Sequence, residues 1–139
     1  MTLDILNFSL ISDEIKRIIN QKCGLNQSQT RLLLFFDSNN NEPLTMGELA
    51  NKLDISLSTL SRQINQKRTL EIVDVTRSKT DSSKLLSLNK NGLKKVIELK
   101  DELNQIREDL FSHLSDEEVN NFSKQLVTLA SKLNNQSKI

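Results

Sequence analysis

Tryptophan and tyrosine are absent from this chain, and its aromatic side chains are five phenylalanines. A core must therefore rest on Leu, Ile and Val. A stacking surface for a flat ligand would have to lean on Phe8, Phe35, Phe36, Phe111 or Phe122, and these are expected in the core instead. One proline and three glycines are too few turn residues for an all-β fold. One cysteine cannot form an intrachain disulfide, which fits a reducing compartment. No apolar run approaches the ~20 residues of a membrane span. The apolar N-terminal residues are broken up by Asp4, Asn7, Ser9, Ser12 and Asp13, unlike a leader peptide. The expectation is a soluble, cytoplasmic protein without a membrane association. Catalytic signatures are missing too: there is no glycine-rich phosphate loop, nucleophile elbow or convincing acid–base pair. His113 stands near Asp109 and Glu117 but far in sequence from Cys23, which is no metal-ligand set. Neither an enzyme nor a bound cofactor is expected.

Long helical periodicities fill the chain, whose 139 residues suit a single domain. Phe8, Ile11, Ile15 and Ile18 recur at spacings of three and four, predicting a helix over about Leu3–Lys22. Gly24 ends it, and Asn26 with Gln29 can cap a second helix over Gln27–Asp37. The continuous Leu32–Phe36 run marks that helix as buried. A polar loop ending at Pro43 follows.

The segment Leu44–Gly92 carries the most specific pattern. Thr45 and Glu48 form a T-x-x-E capping box for a short helix with Leu49 and Leu53 inward. Asp54 and Ile55 make a turn, and Ser56 caps a further helix in which Leu60 and Ile64 face the core. Ser58, Thr59, Ser61, Arg62, Gln63, Asn65 and Gln66 supply its other faces. After a short polar break, Ile72, Val73 and Val75 and then Leu85, Leu86 and Leu88 read as two strands around a polar turn at 78–83. A helix-turn-helix followed by a hairpin is a winged helix, which usually lays its second helix in the DNA major groove. Hydroxyls, amides and Arg are the side chains that read bases and phosphates. Charge follows the same division. Leu49–Lys90 holds eight basic residues against four acidic ones, whereas the remainder holds eleven against fourteen. The surplus, which includes Arg77, Lys79 and Lys84, lies where phosphate contacts would be needed.

Asn89 can cap a long helix to about Phe111, with Val96, Leu99, Leu103, Ile106 and Leu110 spaced three, four, three, four. A second capping box at Ser115–Glu118 starts a last helix whose seam is Val119, Phe122, Leu126, Leu129 and Leu133. A frayed tail is expected from Asn134. Apolar stripes at both ends exceed what a winged helix needs, and a helical homodimer interface explains them. The alternative folds them back on their own domain. A two-fold protein also matches a palindromic site.

In order and spacing these elements resemble the MarR family of transcriptional regulators over nearly the whole chain. The local matches are Leu49-Ala50, Ile55-Ser56-x-Ser58-Thr59-Leu60-Ser61-Arg62 and Leu88-Asn89-x-x-Gly92. The resemblance implies a mainly α fold with a small β-hairpin wing. A winged helix-turn-helix lobe would occupy about 26–92, and dimerisation helices about 1–22 and 90–134. It implies DNA contacts at Ser58, Thr59 and Arg62. Ser56 caps the same helix, and helical geometry adds Gln63 and Gln66. It also implies a small-molecule effector of unknown identity. The chain departs from the family in three places. Glu71 stands near the usual glycine before the wing, Val75 where a strand Arg is common, and Ser83 where the wing Arg is common. Lys79 or Lys84 could replace that charge but not the flat fit of Arg in a narrow groove.

The expected function is thus a dimeric, sequence-specific DNA-binding transcriptional regulator. It would repress from a palindromic operator in double-stranded DNA and be released by a small ligand. The alternative is a winged-helix protein-interaction or assembly module without specific DNA binding. Cys23, beside Lys22, could be a redox switch with a slightly lowered pKa, but a plain small residue at a helix end is the stronger reading.

Overall fold

The structure, a computed structural model, describes residues 3–81 and 83–137. The elements in order are α1 (Leu3–Cys23), α2 (Gln27–Ser38), β1 (Leu44–Thr45), α3 (Met46–Leu53), α4 (Leu57–Ile64), α5 (Lys67–Leu70), β2 (Val73–Arg77), β3 (Lys84–Leu88), α6 (Lys90–Leu110) and α7 (Asp116–Ser137). They form two compact units, Met1–Leu103 and Asn104–Ile139. The architecture is mainly helical with a small antiparallel sheet, the expected class.

In the first unit, α1 stops where Gly24 enters the left-handed region at φ +68°, a conformation costly for any residue with a Cβ. Asn26 then caps α2: its side chain accepts from the Gln29 backbone while the Gln29 side chain reaches back to the Asn26 N–H. From the Leu32–Phe36 run, Leu32, Leu33 and Phe36 are buried, so α2 is the central helix. Leu49 and Leu53 of α3, Leu60 and Ile64 of α4, and Leu86 and Leu88 of β3 are buried too. Ile19 and Cys23 of α1 and Val96 and Leu99 of α6 are buried as well. The expected dimer helices therefore also help build this unit. Gly92, in the first turn of α6, sits where any side chain would run into the Ile72 carbonyl and Leu88.

The sheet corrects one expectation. It has three strands in the order β1-β3-β2, not the two of a plain hairpin. Leu44 and Thr45 pair with Leu86 and Leu85. Two residues are too few to show an alternating pattern in sequence. Beyond β1, Asn41 (φ 54°) extends the cover of β3. Its side chain accepts from the Leu88 N–H at 2.7 Å and donates to the Leu88 carbonyl at 3.1 Å. The polar break after the fourth helix is a second correction, since Lys67–Leu70 folds as the one-turn helix α5. Glu71 follows it at φ −72°, so no glycine is needed there.

The second unit is a helical hairpin corner. Ser115 and Glu118 make the expected capping box for α7. Phe111 and Phe122 meet edge to face at 5.8 Å, and the Arg107 guanidinium lies 5.8 Å from the Phe111 ring. The tail is a third correction: α7 continues through Asn134 to Ser137, and residues 138 and 139 lie outside the described part. Phe8 and Phe122, expected in the core, are exposed.

Candidate nucleic-acid interface

Helix α4 is set up by its flanks. Asp54 takes the left-handed conformation (φ 56°, ψ 48°) and ends α3, with the Ile55 N–H returning to the Ala50 carbonyl at 3.0 Å. Arg31 of α2 donates to the Leu53 carbonyl at 2.6 Å and pins the end of α3. Ser56, in extended conformation, then caps α4 by accepting from the Thr59 N–H at 3.1 Å. With Leu60 and Ile64 inward, Ser58, Thr59 and Arg62 are left on the outer side of the helix, beside the capping Ser56.

Those outward side chains form a hydrogen-bonded chain. Ser56 Oγ donates to Thr59 Oγ1 at 2.8 Å and lies 3.1 Å from Ser58 Oγ. Arg62 reaches Thr59 Oγ1 at 3.4 Å. Ser56, Ser58 and Arg62 are exposed, and Thr59 and Gln63 half-buried. Thus three hydroxyls stand at a helix N-terminus, where free N–H groups and the helix dipole favour an anion, and a guanidinium follows one turn later. Gln66 is placed differently from the helical-geometry expectation. The helix ends at Ile64, and Gln66 lies beyond it with its side-chain oxygen accepting from Asn26 Nδ2 at 3.1 Å.

The wing pairs Val73 with Leu88 through to Arg77 with Lys84. Its turn closes with the Ser78 N–H donating to the Ser83 carbonyl at 2.8 Å. Asp81 accepts from the Ser83 hydroxyl at 2.7 Å and from the Ser83 N–H at 3.0 Å. These bonds, led by the hydroxyl and joined by Ser78, hold its carboxyl below the ordinary carboxylate range. Arg77, Lys79 and Lys84 are exposed along this hairpin. Ser82 lies outside the described residues.

Cys23 is buried, and its thiol is pushed up rather than down. Burial is the largest cause, then Glu98; Lys95 opposes the rise and Glu102 adds to it. Lys22 does not have the expected lowering effect. Among the described residues no cluster of three or more His, Cys, Asp or Glu side chains could hold a metal ion, and no helix is long and apolar enough to cross a membrane.

Residues 24–82 match the sequence model of the MarR family. That matched segment runs from the end of α1 through the helix-turn-helix and the first wing strand. Three solved structures share the fold. They are a DNA complex of MepR from S. aureus (23% identity over 91% of this chain and 93% of that one, TM-score 0.69), YusO from Bacillus subtilis (21%, 94% and 90%, 0.73), and a MarR family protein from Bacillus stearothermophilus (19%, 96% and 91%, 0.75). No curated protein gives a significant sequence match. The MarR-type fold thus extends over nearly the whole chain, beyond the segment that the family sequence model covers.

Proposed function

We propose that the protein is a homodimeric, sequence-specific DNA-binding transcription regulator of the cytoplasm that represses by occupying a palindromic operator in double-stranded DNA. The observation that carries this reading is the hydrogen-bonded Ser56–Ser58–Thr59–Arg62 chain at the start of α4, with Ser56, Ser58 and Arg62 exposed. Its hydroxyls suit phosphate or base edges, and Arg62 can grip a guanine with two bonds. Gln63 completes the helix face, and Arg77, Lys79 and Lys84 supply phosphate contacts from the wing. MepR, of the same fold, was solved bound to DNA. MarR-family proteins are transcription regulators, not enzymes.

The dimer rests on apolar surface. In the first unit α1 exposes Ile5, Leu6, Phe8 and Leu10, and in the second α7 exposes Val127, Leu129 and Leu133. Exposed apolar residues recurring along a helix mark an interaction surface. Two copies joined by such helices would present two α4 helices to two half-sites. Release by a small effector belongs to the same proposal and rests on the family resemblance.

Selection of bound fragments from the source genome tests this reading. Enrichment of a palindrome, with affinity falling steeply as salt rises, supports the regulator. Shallow, sequence-independent binding, or none, would favour an interaction module instead.

A further inference from the structure

Gln29 and Thr69 are the two buried polar side chains among the described residues, and they bond to each other: Gln29 Nε2 donates to Thr69 Oγ1 at 3.2 Å. One stands in the first turn of α2, just after α1. The other stands in α5, just after α4. Two more bonds cross the same gap. Asn26 Nδ2 donates to Gln66 Oε1 at 3.1 Å, and the Arg68 guanidinium donates to the Gly24 carbonyl at 2.9 Å. Gln29 and Asn26 are themselves locked, because each caps the other's backbone N–H. Neither amide can swing without undoing the start of α2.

The same stretch is held from a second side. Asn89, at the start of α6, donates its backbone N–H to the Ile72 carbonyl at 3.1 Å and its Nδ2 to the Glu71 carbonyl at 3.0 Å. Residues 66–72 are therefore gripped from the α1–α2 corner and from the α6 N-terminus. A single helical turn has little cohesion of its own, and Gln66 makes no side-chain cap bond to it. Its placement, and with it the end of α4, is set by these clasps.

We propose that Gln29, Thr69 and Arg68 are positioning residues that fix the orientation of α4 against α1 and α6. In the dimer they would thereby set the spacing at which the two α4 helices meet DNA. This rests on the DNA-binding reading above. A hydrogen bond between buried amide and hydroxyl is directional, whereas an apolar pair of similar shape fills the same space with no angular demand. Replacing both partners, Gln29→Met with Thr69→Val, leaves neither side of this bond orphaned and removes its direction; the Asn26 N–H loses the Gln29 Oε1 acceptor, while the Asn26 side chain keeps its own cap on the Gln29 N–H.

The test measures affinity for the selected palindrome and for the same DNA with one base pair added at its centre. That insertion turns one half-site by about 35° relative to the other. The wild-type dimer is expected to reject the altered spacing. The double variant, folded and dimeric by circular dichroism and sedimentation, should lose about tenfold on the native spacing, and its discrimination between the two DNAs should narrow by a similar factor. Its salt slope should stay at the wild-type value, because no phosphate contact is removed. Arg68→Met should blur the spacing preference in the same way without touching the core, and it decides the matter if the double variant fails to fold. Thr69→Ser keeps the hydroxyl and should retain wild-type discrimination. A double variant and an Arg68→Met that both discriminate as sharply as wild type overturn this inference alone. So does an Arg68→Met that only lowers the salt slope, which would make Arg68 a phosphate contact. A wild-type protein with no preference for a palindrome overturns the DNA-binding reading and this inference with it.

Discussion

Arg77 stands directly opposite Lys84 at the outer end of the wing ladder. Like charges facing each other across two strands cost stability, whereas an opposite pair gains about 0.2–1 kcal/mol. A cationic pair kept at that place suits a polyanion. Lys84→Glu should therefore raise the denaturation midpoint slightly while weakening DNA binding and reducing the salt slope. Chemical denaturation and anisotropy titration on one preparation read both. A variant that gains stability and keeps full DNA affinity would remove the wing from the interface.

Arg62 tests the helix. It is exposed, and its bond to Thr59 at 3.4 Å is long, so truncation should leave the fold intact. Arg62→Ala should cost roughly 1–3 kcal/mol on the specific site and relax preference at one base position of each half-site. A loss equal on all sequences would make Arg62 a phosphate contact only.

Much of this was legible in the residues. The capping boxes at Asn26, Thr45 and Ser115 placed three helix starts because each cap leaves a local signature at fixed spacing. The outward face of α4 followed from Leu60 and Ile64 alone. What could not be read depended on contacts distant in sequence. Leu44 and Thr45 become a strand only because β3 lies beside them. Lys67–Leu70 becomes a helix because residues of the α1–α2 corner and α6 hold its ends. Gln29 showed its cap role, but nothing local pointed its remaining N–H toward Thr69. Gln66 was misplaced for a simpler reason: α4 ends two residues earlier than its polar periodicity suggests.

Asp81 gives a pH prediction. Its carboxyl is held below the ordinary range by Ser83 and Ser78. Its contribution to the wing turn is present above the unfolded carboxylate value and is lost as pH falls through the lowered one. Protection of the Ser83 amide, read as its exchange rate against the intrinsic rate at the same pH, should hold at neutral pH and fall in acid as Asp81 takes up its proton. Asp81→Asn keeps an acceptor for Ser83 and removes a negative charge, so it should tighten DNA binding. Unchanged or weaker binding would place the tip away from the phosphates.

Cys23 gives the opposite dependence. Burial raises its pKa from the ordinary value of 9.0, so stability is full below that value and falls as pH rises through the raised one. The thiol should resist a bulky alkylating reagent in the folded protein and react at once in denaturant. Peroxide should leave DNA binding unchanged. Rapid native alkylation, or loss of binding after peroxide, would restore the redox switch.

The most direct test of the central claim is an anisotropy titration of the selected palindrome against a scrambled duplex of equal length, repeated at several salt concentrations. The expected result is two protomers bound per palindrome, at least a roughly thousandfold preference over the scrambled duplex and a steep decline in affinity with salt. Equal affinity for both duplexes, or one protomer per site with no salt dependence, would contradict it.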